Sequence, residues 1–471
     1  MRLWLRYLLV FLVTAGIAFL GFYAEKFTAL IPSPAMVSFL RSSGALIPML
    51  NMVLLIAAAV TVACFLLTQR ALSPRLLTLG ALAVLTVMLG KMYSDFNVHG
   101  YLFGRREYSR FIDENFVDAR AVKITPVKKR NLIVLSLESL GLVYSRKDIA
   151  GSDAIAELSR LASENTAFAS YINGEFQNHT FGSLLAVNSG IYFNPGIDSK
   201  TTYSLINLSE NIVNFLPKAL FLPDILRQNG YQTLFVSSGK VKFTNTKVLL
   251  QNHSFAPENI FAPDSNSEDP DLRDALAEYR AVGQGWWGFS DRKALMAFRR
   301  KITKAASRGN FYAFFSGIDT HGGRFPYPYQ QKFKNSVGYG ILNRAAEVSR
   351  MTVEFVDWVK AQPWGADTAV VIFGDHEVMG DYFPDSKVKE RRIYNVFINP
   401  PEGVSVRENR VFNQVDLCPT LLQCAGFSIE GGRIGIGTSL FSESPTFVEK
   451  FGTEFMTREL LKRSRKIDGL W

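Results

Sequence analysis

Cysteine and histidine are both scarce in this chain of 471 residues, which contains 3 cysteines and 5 histidines. So few cysteines exclude a disulfide framework and a zinc site built from thiolates. Cys418 and Cys424 lie in a segment typical of a helix, and residues six apart do not face each other on a helix. We therefore expect both to be small buried side chains, with pairing in an oxidising compartment as the alternative.

Internal repeats and low-complexity segments are also absent, and the hydrophobic residues are unevenly distributed. Three apolar runs stand out, at Tyr7–Ala24, at Gly44–Gln69 and from Arg75 to about Gly90. Each is roughly long enough to cross ~30 Å of hydrocarbon, the third only marginally. The first run alone could be a cleaved signal peptide. Because there are three, we expect a retained membrane domain of about three helices at residues 1–93.

Positive charges flank these runs on one side of the predicted membrane. Arg2 and Arg6 precede the first run, and Arg70 and Arg75 lie between the second and third. Lysine and arginine near span ends are typical of the cytoplasmic side. Three spans that start inside place everything after about Tyr93 outside the cytoplasm, so the large C-terminal domain is predicted to be exported.

Residues 94–130 form a basic and aromatic connector, in a chain whose net charge is +10. Aromatic residues such as Phe111 and Phe116 alternate there with Arg and Lys. Such a stretch just after a span is typical of segments that lie on an anionic membrane surface. A solvated linker helix is the alternative. We expect no nucleic-acid partner, because an exported domain rarely meets one.

From Asn131 onward, short apolar strands alternate with helical segments, which predicts one α/β domain at residues 131–471 with a mostly parallel sheet flanked by helices. The predicted strands lie at 131–138, 233–237, 311–316, 370–373 and 394–398. The predicted helices lie at 152–164, 222–229, 291–306, 343–359 and 415–425.

Polar residues with metal-binding or acid–base chemistry follow several of these strands. Glu138 ends the first strand, Asp375 and His376 follow the strand at 370–373, and His321 follows another. The carboxyl ends of parallel strands meet at the edge of the sheet where ligands bind. Carboxylates and imidazole together suit a divalent cation. Taken alone, the Asp375–His376 pair could equally be a strand followed by a capped turn.

Thr180 lies where a polar loop becomes an apolar helix. A hydroxyl at this position is most often an N-cap. It can also be a nucleophile, because the positive end of the helix favours an anionic oxygen and can hold a phosphate. A bound metal would lower the pKa of the hydroxyl further.

Together these motifs resemble the alkaline-phosphatase/sulfatase superfamily. The motifs are Glu138 after a first strand, Thr180 in a loop-to-helix turn, Thr320-His321, Gly374-Asp-His and a closing segment from Asn413. The resemblance covers about residues 131–445. It is closest to the membrane-anchored branch, which includes lipoteichoic acid synthases, phosphoglycerol transferases and phosphoethanolamine transferases.

The resemblance implies one divalent metal ion held by Glu138, Thr180, Asp375 and His376. Mn²⁺ or Mg²⁺ suits these mostly oxygen ligands, and the single histidine also admits Zn²⁺. It further implies that Thr180 is the nucleophile and that His321 contacts the substrate phosphate or the leaving group.

The resemblance also implies substrate-binding residues, and here Trp287, Asp291 and His321 lie in motifs most similar to phosphoglycerol transferases. Lipoteichoic acid synthases carry a Trp and an Arg just after the position of Lys242, and this chain has neither. Lys240 or Lys242 is expected to substitute. The Cys/Ser-x-Pro-x-Arg motif of true sulfatases is absent around Thr180, which argues against sulfate-ester hydrolysis.

The expected function is therefore metal-dependent transfer of phosphoglycerol through a phosphothreonine intermediate. The expected donor is a membrane phospholipid, phosphatidylglycerol above all, and the acceptor is a cell-envelope glycan or lipid. The expected location is the bacterial inner membrane, with the catalytic domain on the periplasmic or extracellular side. Two alternatives are phosphoethanolamine transfer to lipid A or another glycan, and a non-catalytic membrane-tethered scaffold.

Overall fold

A computed structural model describes residues 107–192 and 214–471 with short gaps, together with the single positions 11 and 86. The gaps are 243–244, 284–285, 323–324, 331–332, 334–338, 379–381, 384–390, 405 and 408. Apart from positions 11 and 86, the three predicted spans lie outside the described residues. Within the described part of the chain, no helix combines the length and the apolar character that a membrane crossing requires.

Most strands of the described chain are short, and the longest belong to the central sheet. They are β1 (Ile124–Pro126), β2 (Asn131–Leu137), β3 (Ser170–Tyr171), β4 (Gln232–Ser237), β5 (Ile260–Phe261), β6 (Phe311–Ser316), β7 (Thr368–Gly374), β8 (Asn395–Ile398), β9 (Val411–Phe412), β10 (Phe427–Ile429), β11 (Arg433–Ile434) and β12 (Gly437–Thr438).

The α-helices of the same residues are α1 (Arg110–Asn115), α2 (Lys147–Ala150), α3 (Ala156–Ser163), α4 (Thr180–Ser189), α5 (Leu222–Gln228), α6 (Thr246–Asn252), α7 (Arg273–Val282), α8 (Asp291–Ala306), α9 (Tyr339–Lys360), α10 (Gln414–Cys424), α11 (Phe447–Phe451), α12 (Thr453–Leu460) and α13 (Arg465–Asp468). Short 3₁₀ turns lie at Leu142–Ser145, Pro257–Asn259, Pro270–Leu272 and Glu430–Gly432.

The central sheet has six strands in the order β5-β4-β6-β2-β7-β8. The first five are parallel, and β8 runs antiparallel to β7 at one edge. Every residue of β2, β6 and β7 is buried. Such burial requires helices on both faces. The prediction of a mostly parallel sheet flanked by helices is therefore confirmed.

Alternate side chains of the sheet pack against different helices. Ile133 of β2 belongs to a core cluster with residues of α3, α8 and α9, including Leu158, Phe298 and Phe355. On the other face, the Tyr312 hydroxyl donates to Asn188 Oδ1 of α4 at 2.8 Å. The two faces of the sheet thus pack against helices on opposite sides, and β2 lies between β6 and β7 in the interior of the sheet.

Several element boundaries agree with the sequence analysis, and α8 and β6 match the predicted 291–306 and 311–316. The helix predicted at 152–164 begins only at Ala156. Its first residues instead form a turn, in which Asp153 Oδ1 accepts a hydrogen bond from the Ile155 backbone N–H at 2.9 Å. Cys418 and Cys424 are buried and unpaired, as expected.

The described end of the predicted connector, residues 107–130, packs onto the C-terminal helices. The Phe111 ring lies 5.3, 4.9 and 5.0 Å from the rings of Phe447, Phe451 and Phe455. Strand β1 also pairs with β10. The described residues from Glu107 onward belong to one compact unit. The division at 1–93, 94–130 and 131–471, and the membrane-surface role of the connector, stay predictions.

Candidate metal centre and active site

Three buried side chains converge at the carboxyl end of the central sheet. Glu138 follows β2, and Asp375 and His376 follow the neighbouring β7. Each offers a ligand atom, and these atoms all lie within 4.8 Å of one another. The register explains the convergence, because Leu137 pairs with Gly374 and the next residues of both strands leave the sheet together.

The His376 ring has a defined orientation. Its Nδ1 lies 2.8 Å from the Glu377 backbone carbonyl oxygen, which can only accept, so Nδ1 carries the hydrogen. In the neutral ring Nε2 then keeps a free lone pair. Nε2 lies 3.4 Å from Glu138 Oε1 and 3.5 Å from Asp375 Oδ2. A histidine ligand held by a backbone carbonyl in this way is typical of metal sites.

Ser139 orients both carboxylates, and the sequence analysis did not identify it. Its backbone N–H donates to Asp375 Oδ1 at 2.7 Å, and its hydroxyl donates to Glu138 Oε1 at 2.7 Å. The φ of Ser139 is +50°, in the left-handed region that side chains rarely adopt. The turn after β2 thus holds a strained backbone where it aims two carboxylates at one point.

The electrostatics of the cluster favour a cation. Burial, and then the nearby Glu138 charge, raise the pKa of Asp375 to about 7. Among the described residues, no Lys or Arg forms a salt bridge with Glu138 or Asp375. Two carboxylates, an imidazole nitrogen and a nearby hydroxyl form a donor set that fits a divalent metal ion.

Thr180 faces this cluster and is not the N-cap of its helix. Helix α4 begins at Thr180, and the cap is His179, whose Nδ1 accepts from the Gly182 backbone N–H at 3.0 Å. The interpretation of Thr180 as a cap is therefore wrong. Its Oγ1 instead donates to Glu138 Oε2 at 3.1 Å. The hydroxyl lies at the positive end of a ten-residue helix, which favours negative charge on an oxygen there.

His321 lies in the turn that follows β6, beside the cluster. The preceding residue, Thr320, donates its hydroxyl to the Glu138 backbone carbonyl. His321 Nδ1 is 2.9 Å from the Gly322 carbonyl oxygen, so Nδ1 carries a hydrogen and Nε2 is left for proton exchange. Arg344 Nη1 donates to the His321 backbone oxygen at 2.9 Å, and the Trp287 ring centroid lies 4.5 Å from that of His321.

Asp291 contacts the turn that carries His321 through both of its carboxylate oxygens. Oδ1 accepts from the Ile318 backbone N–H at 2.8 Å, and Oδ2 accepts from that of Asp319 at 3.1 Å. Burial raises the pKa of Asp291 to about 6. Both carboxylate oxygens of Asp291 thus accept backbone hydrogen bonds from the turn, and its predicted contact with substrate stays a prediction.

The two predicted lysines lie on the loop after β4. Gly239 of this loop bridges to Gly288, which places the loop beside Trp287. The backbone N–H of Lys242 donates to Asp264 Oδ2 at 2.9 Å, and its side chain is exposed. The structure brings together Glu138, Thr180, Asp375 and His376. Neither Lys240 nor Lys242 has a described contact with this cluster.

Glu377 is a second residue that the sequence analysis did not identify. It follows His376 directly and is 5% exposed, and burial raises its pKa to about 8. Neither of its carboxyl oxygens makes a hydrogen bond to a described residue. An Asp-His-Glu segment after a strand gives no sign that the glutamate is buried, so only the structure reveals this.

Comparisons with known proteins show the family and the fold of the chain. A sulfatase family model matches residues 130–427. Phosphoglycerol transferase I of Salmonella typhimurium LT2 is 26% identical over 336 residues, which are 68% of this chain and 40% of that protein. Phosphoglycerol transferase I of Salmonella choleraesuis SC-B67 is 27% identical over 272 residues, or 55% of this chain and 32% of that protein. The chain thus spans less than half the length of these relatives.

Solved structures share the fold. An alkaline phosphatase superfamily protein from Vibrio parahaemolyticus has a TM-score of 0.54 and 19% identity, covering 74% of this chain and 82% of its own. The lipoteichoic acid synthase LtaP from Listeria monocytogenes has a TM-score of 0.50 and 16% identity, covering 71% of this chain and 82% of its own. At these identities the likeness establishes the α/β fold of the domain and nothing finer.

Proposed function

The chain belongs to the sulfatase family, whose model matches residues 130–427, and from that premise we propose that it is a metal-dependent phosphoglycerol transferase. It moves the head group of a membrane phospholipid, phosphatidylglycerol in the simplest case, to a cell-envelope glycan or lipid. One observation carries the proposal: the Thr180 hydroxyl donates to Glu138 within a buried cluster of metal-binding character. Residues 1–93 anchor the enzyme in the bacterial inner membrane, and residues 131–471 act on its outer side.

Glu138, Thr180, Asp375 and His376 are the proposed ligands of one divalent cation. The oxygen-rich set favours Mn²⁺ or Mg²⁺, and the single imidazole also admits Zn²⁺. When bound, such a cation stabilises negative charge on the phosphoryl oxygens and favours ionisation of a neighbouring hydroxyl. The His376 tautomer supports this assignment, because its hydrogen is on the nitrogen that faces away from the carboxylates.

In the first step, Thr180 Oγ1 attacks the phosphorus of the donor lipid. The Oγ1–phosphorus bond forms as the bond from phosphorus to the diacylglycerol oxygen breaks. The Thr180 proton passes along its existing hydrogen bond to Glu138 Oε2. His321, protonated at the start, gives the Nε2 proton to the departing diacylglycerol oxygen. The product of this step is a phosphothreonine that carries the glycerol head group.

In the second step, a hydroxyl of the acceptor attacks the same phosphorus. His321 Nε2 takes the proton of that hydroxyl as the new oxygen–phosphorus bond forms. The bond to Thr180 Oγ1 breaks, and Glu138 returns the proton to the threonine. Both residues are then back in their starting protonation states. The positive end of α4 lies at the reacting oxygen throughout and stabilises its charge.

The test is to incubate the full chain, purified in detergent micelles, with phosphatidylglycerol and no acceptor. We expect diacylglycerol release and a glycerophosphate adduct that peptide mapping assigns to Thr180. Thr180→Ala should lower diacylglycerol release by more than about three orders of magnitude, because the nucleophile is lost. Thr180→Ser should retain part of the activity.

The matched control is Ser183→Ala, which removes a buried hydroxyl that has no described hydrogen-bond partner from the same helix. It should leave diacylglycerol release close to that of the wild type. A Thr180→Ala protein that releases diacylglycerol at the wild-type rate would refute the nucleophile and the two-step reaction. When phosphatidylglycerol and phosphatidylethanolamine are supplied together, the mass of the adduct identifies the transferred group. An adduct with the mass of ethanolamine phosphate would mean that the enzyme transfers phosphoethanolamine and not phosphoglycerol.

A further inference from the structure

The turn that follows β6 carries His321, and the regular pairing of the sheet ends before that residue. The ladder between β2 and β6 ends at the pair Ser136–Ser316, and the Gly317 backbone N–H then donates to the Ser136 carbonyl at 2.9 Å. His321 lies four residues beyond Gly317. The position of His321 relative to Glu138 of the metal centre therefore depends on contacts outside the ladder.

Thr320 supplies such a contact on the side of the metal centre. Its hydroxyl donates to the Glu138 backbone carbonyl, and both residues are 1% exposed. The carboxylate of the same glutamate accepts from the Thr180 hydroxyl at 3.1 Å. One buried side chain thus links the residue before His321 to the residue that holds the proposed nucleophile. Because threonine is branched at Cβ, its χ1 is restricted and its hydroxyl has a defined direction.

A second element holds the backbone of the same turn. The carboxylate of Asp291 on α8 accepts from the backbone N–H groups of Ile318 and Asp319. In return, Asp319 Oδ1 accepts from the Asp291 backbone N–H at 3.1 Å. These reciprocal hydrogen bonds do not involve the Thr320 hydroxyl. We therefore expect the turn to keep its fold when that hydroxyl is removed, and to lose only its attachment to Glu138.

We propose that Thr320 is a positioning residue, which sets the distance between His321 and the reacting phosphorus by fixing the turn to Glu138. The proposal rests on the proposed function, in which His321 Nε2 protonates the departing diacylglycerol oxygen. Thr320 acts through His321 and does not itself contact the substrate. Proton transfer needs the acid within hydrogen-bond reach of the leaving oxygen, and a displacement of about 1 Å can lower a rate about 100-fold.

The leaving group of the substrate separates this role from a merely structural one. A diacylglycerol oxygen is a poor leaving group and needs a proton, whereas p-nitrophenolate departs as a stable anion. A displaced His321 should therefore slow the release of diacylglycerol and spare the release of p-nitrophenolate. A disturbed metal centre would slow both reactions, because Thr180 attacks phosphorus in each of them.

The test uses the full chain in detergent micelles with Mn²⁺, with enzyme in excess over substrate so that only the first step is measured. The substrates are phosphatidylglycerol and the p-nitrophenyl ester of glycerol phosphate. Thr320→Val replaces the hydroxyl with a methyl group, and Thr320→Ala removes it without a replacement. We expect both variants to lower the rate of diacylglycerol release about 10- to 100-fold and that of p-nitrophenolate release less than about threefold. Bound Mn²⁺, measured by elemental analysis, should match the wild type.

Two control variants test the hydroxyl itself. Thr320→Ser keeps the donor and should recover most of the lost rate, although serine lacks the branch that restricts χ1. Thr368→Val is the matched control, because Thr368 is also 1% exposed and its hydroxyl donates to a backbone carbonyl, that of Trp364 at 2.8 Å. It lies at the first residue of β7, at the opposite end of that strand from the metal centre. Its substitution should leave both rates unchanged.

A double-mutant cycle gives a second readout that needs only the lipid substrate. His321→Ala should slow diacylglycerol release about 100-fold or more and should spare p-nitrophenolate release. If Thr320 acts only through His321, then Thr320→Val should cause no further loss in the His321→Ala background.

The proposal is overturned if Thr320→Val and Thr320→Ala slow both reactions equally, slow neither, or lose the bound Mn²⁺. It is also overturned if Thr320→Val causes a further loss in the His321→Ala background. In these cases the results for His321→Ala and Thr180→Ala still stand, so the transferase mechanism survives without this inference. A His321→Ala protein that slows both reactions alike would instead refute His321 as the acid, and the positioning role of Thr320 would fall with it.

Discussion

Two buried clusters of charged groups in this protein differ in whether the chain itself balances their charge. In the C-terminal segment, Arg410 is fully buried, and its Nε lies 2.9 Å from Glu449 Oε1. Its two terminal nitrogens donate to the carbonyl oxygens of Ser442 and Ser444 at 2.8 and 2.9 Å. At the sheet edge, Glu138 and Asp375 lie together with only a histidine between them.

The difference separates a structural cluster from a functional one. A buried ion pair that is complete within the chain holds two segments together, and removing one partner leaves a charge without compensation. When both of its carboxylates are ionised, the cluster at the sheet edge carries negative charge that no described Lys or Arg offsets. A bound cation would supply what is missing, so the imbalance itself points to function.

The largest expected effect concerns the balanced cluster. Arg410→Met should lower the free energy of unfolding by about 3–5 kcal/mol, because the Glu449 carboxylate loses its cation and the carbonyl oxygens of Ser442 and Ser444 lose a hydrogen-bond donor. Urea unfolding followed by tryptophan fluorescence measures this change. The matched control is Arg110→Ala, which breaks an exposed pair with Glu114 whose side chains are 90% and 57% exposed. No measurable change is expected there. Equal effects of the two substitutions would contradict the distinction.

The unbalanced cluster was predictable from the sequence, for a specific physical reason. Each of its members follows a short apolar strand, and parallel strands bring their carboxyl ends to one edge of a sheet. Glu138, Asp375 and His376 could therefore be assigned without knowing the order of the strands. The central sheet could be predicted in the same way, because the sequence contrasts strongly between apolar strands and polar turns.

The features that could not be predicted depend on contacts between distant segments. Whether β8 runs parallel or antiparallel to β7 depends on the path of the loop between them. The local sequence pattern does not encode that path. The capping role of His179 was missed because Ser, Thr, Asp and Asn are the usual caps. The burial of Glu377 depends on the absence of a side chain at Gly141, more than 200 positions away.

A smaller effect follows from the raised pKa of Asp375. In the metal-free protein burial and Glu138 raise this pKa to about 7, and a ligand carboxyl must be ionised to bind a metal. Affinity for Mn²⁺ should therefore rise by at least about tenfold per pH unit below about pH 7, because His376 must lose a proton as well. Burial lowers the pKa of His376, but the charges of Asp375 and Glu138 outweigh burial and raise it. In the metal-free protein, the raised pKa of Asp375 stabilises the fold at low pH, and this contribution is lost as pH rises through about 7.

Titration calorimetry between about pH 5.5 and 8 measures the first effect, and thermal unfolding of the metal-free protein measures the second. Asp375→Asn is the control, because it removes one of the two titrating ligands. Its affinity for Mn²⁺ should be weaker than that of the wild type at every pH and should rise less steeply with pH. An affinity of the wild type that does not change with pH would mean that Asp375 is ionised without a cation, and the contrast between the two clusters would then disappear.

The smallest expected effect concerns His179, which lies next to Thr180 and caps the helix with a neutral imidazole ring. Burial, and then the nearby His376, lower its pKa to about 4, so near pH 7 its Nδ1 can accept from the Gly182 backbone N–H. His179→Ala should cost about 1 kcal/mol of stability, as the loss of an N-cap does. His179→Asn keeps an acceptor and should cost less. Diacylglycerol release should fall far less than in Thr180→Ala, since the Thr180 hydroxyl and its contact with Glu138 remain. If His179→Ala instead lost as much activity as Thr180→Ala while it retained its metal and its fold, His179 would belong to the reaction and not to the helix cap.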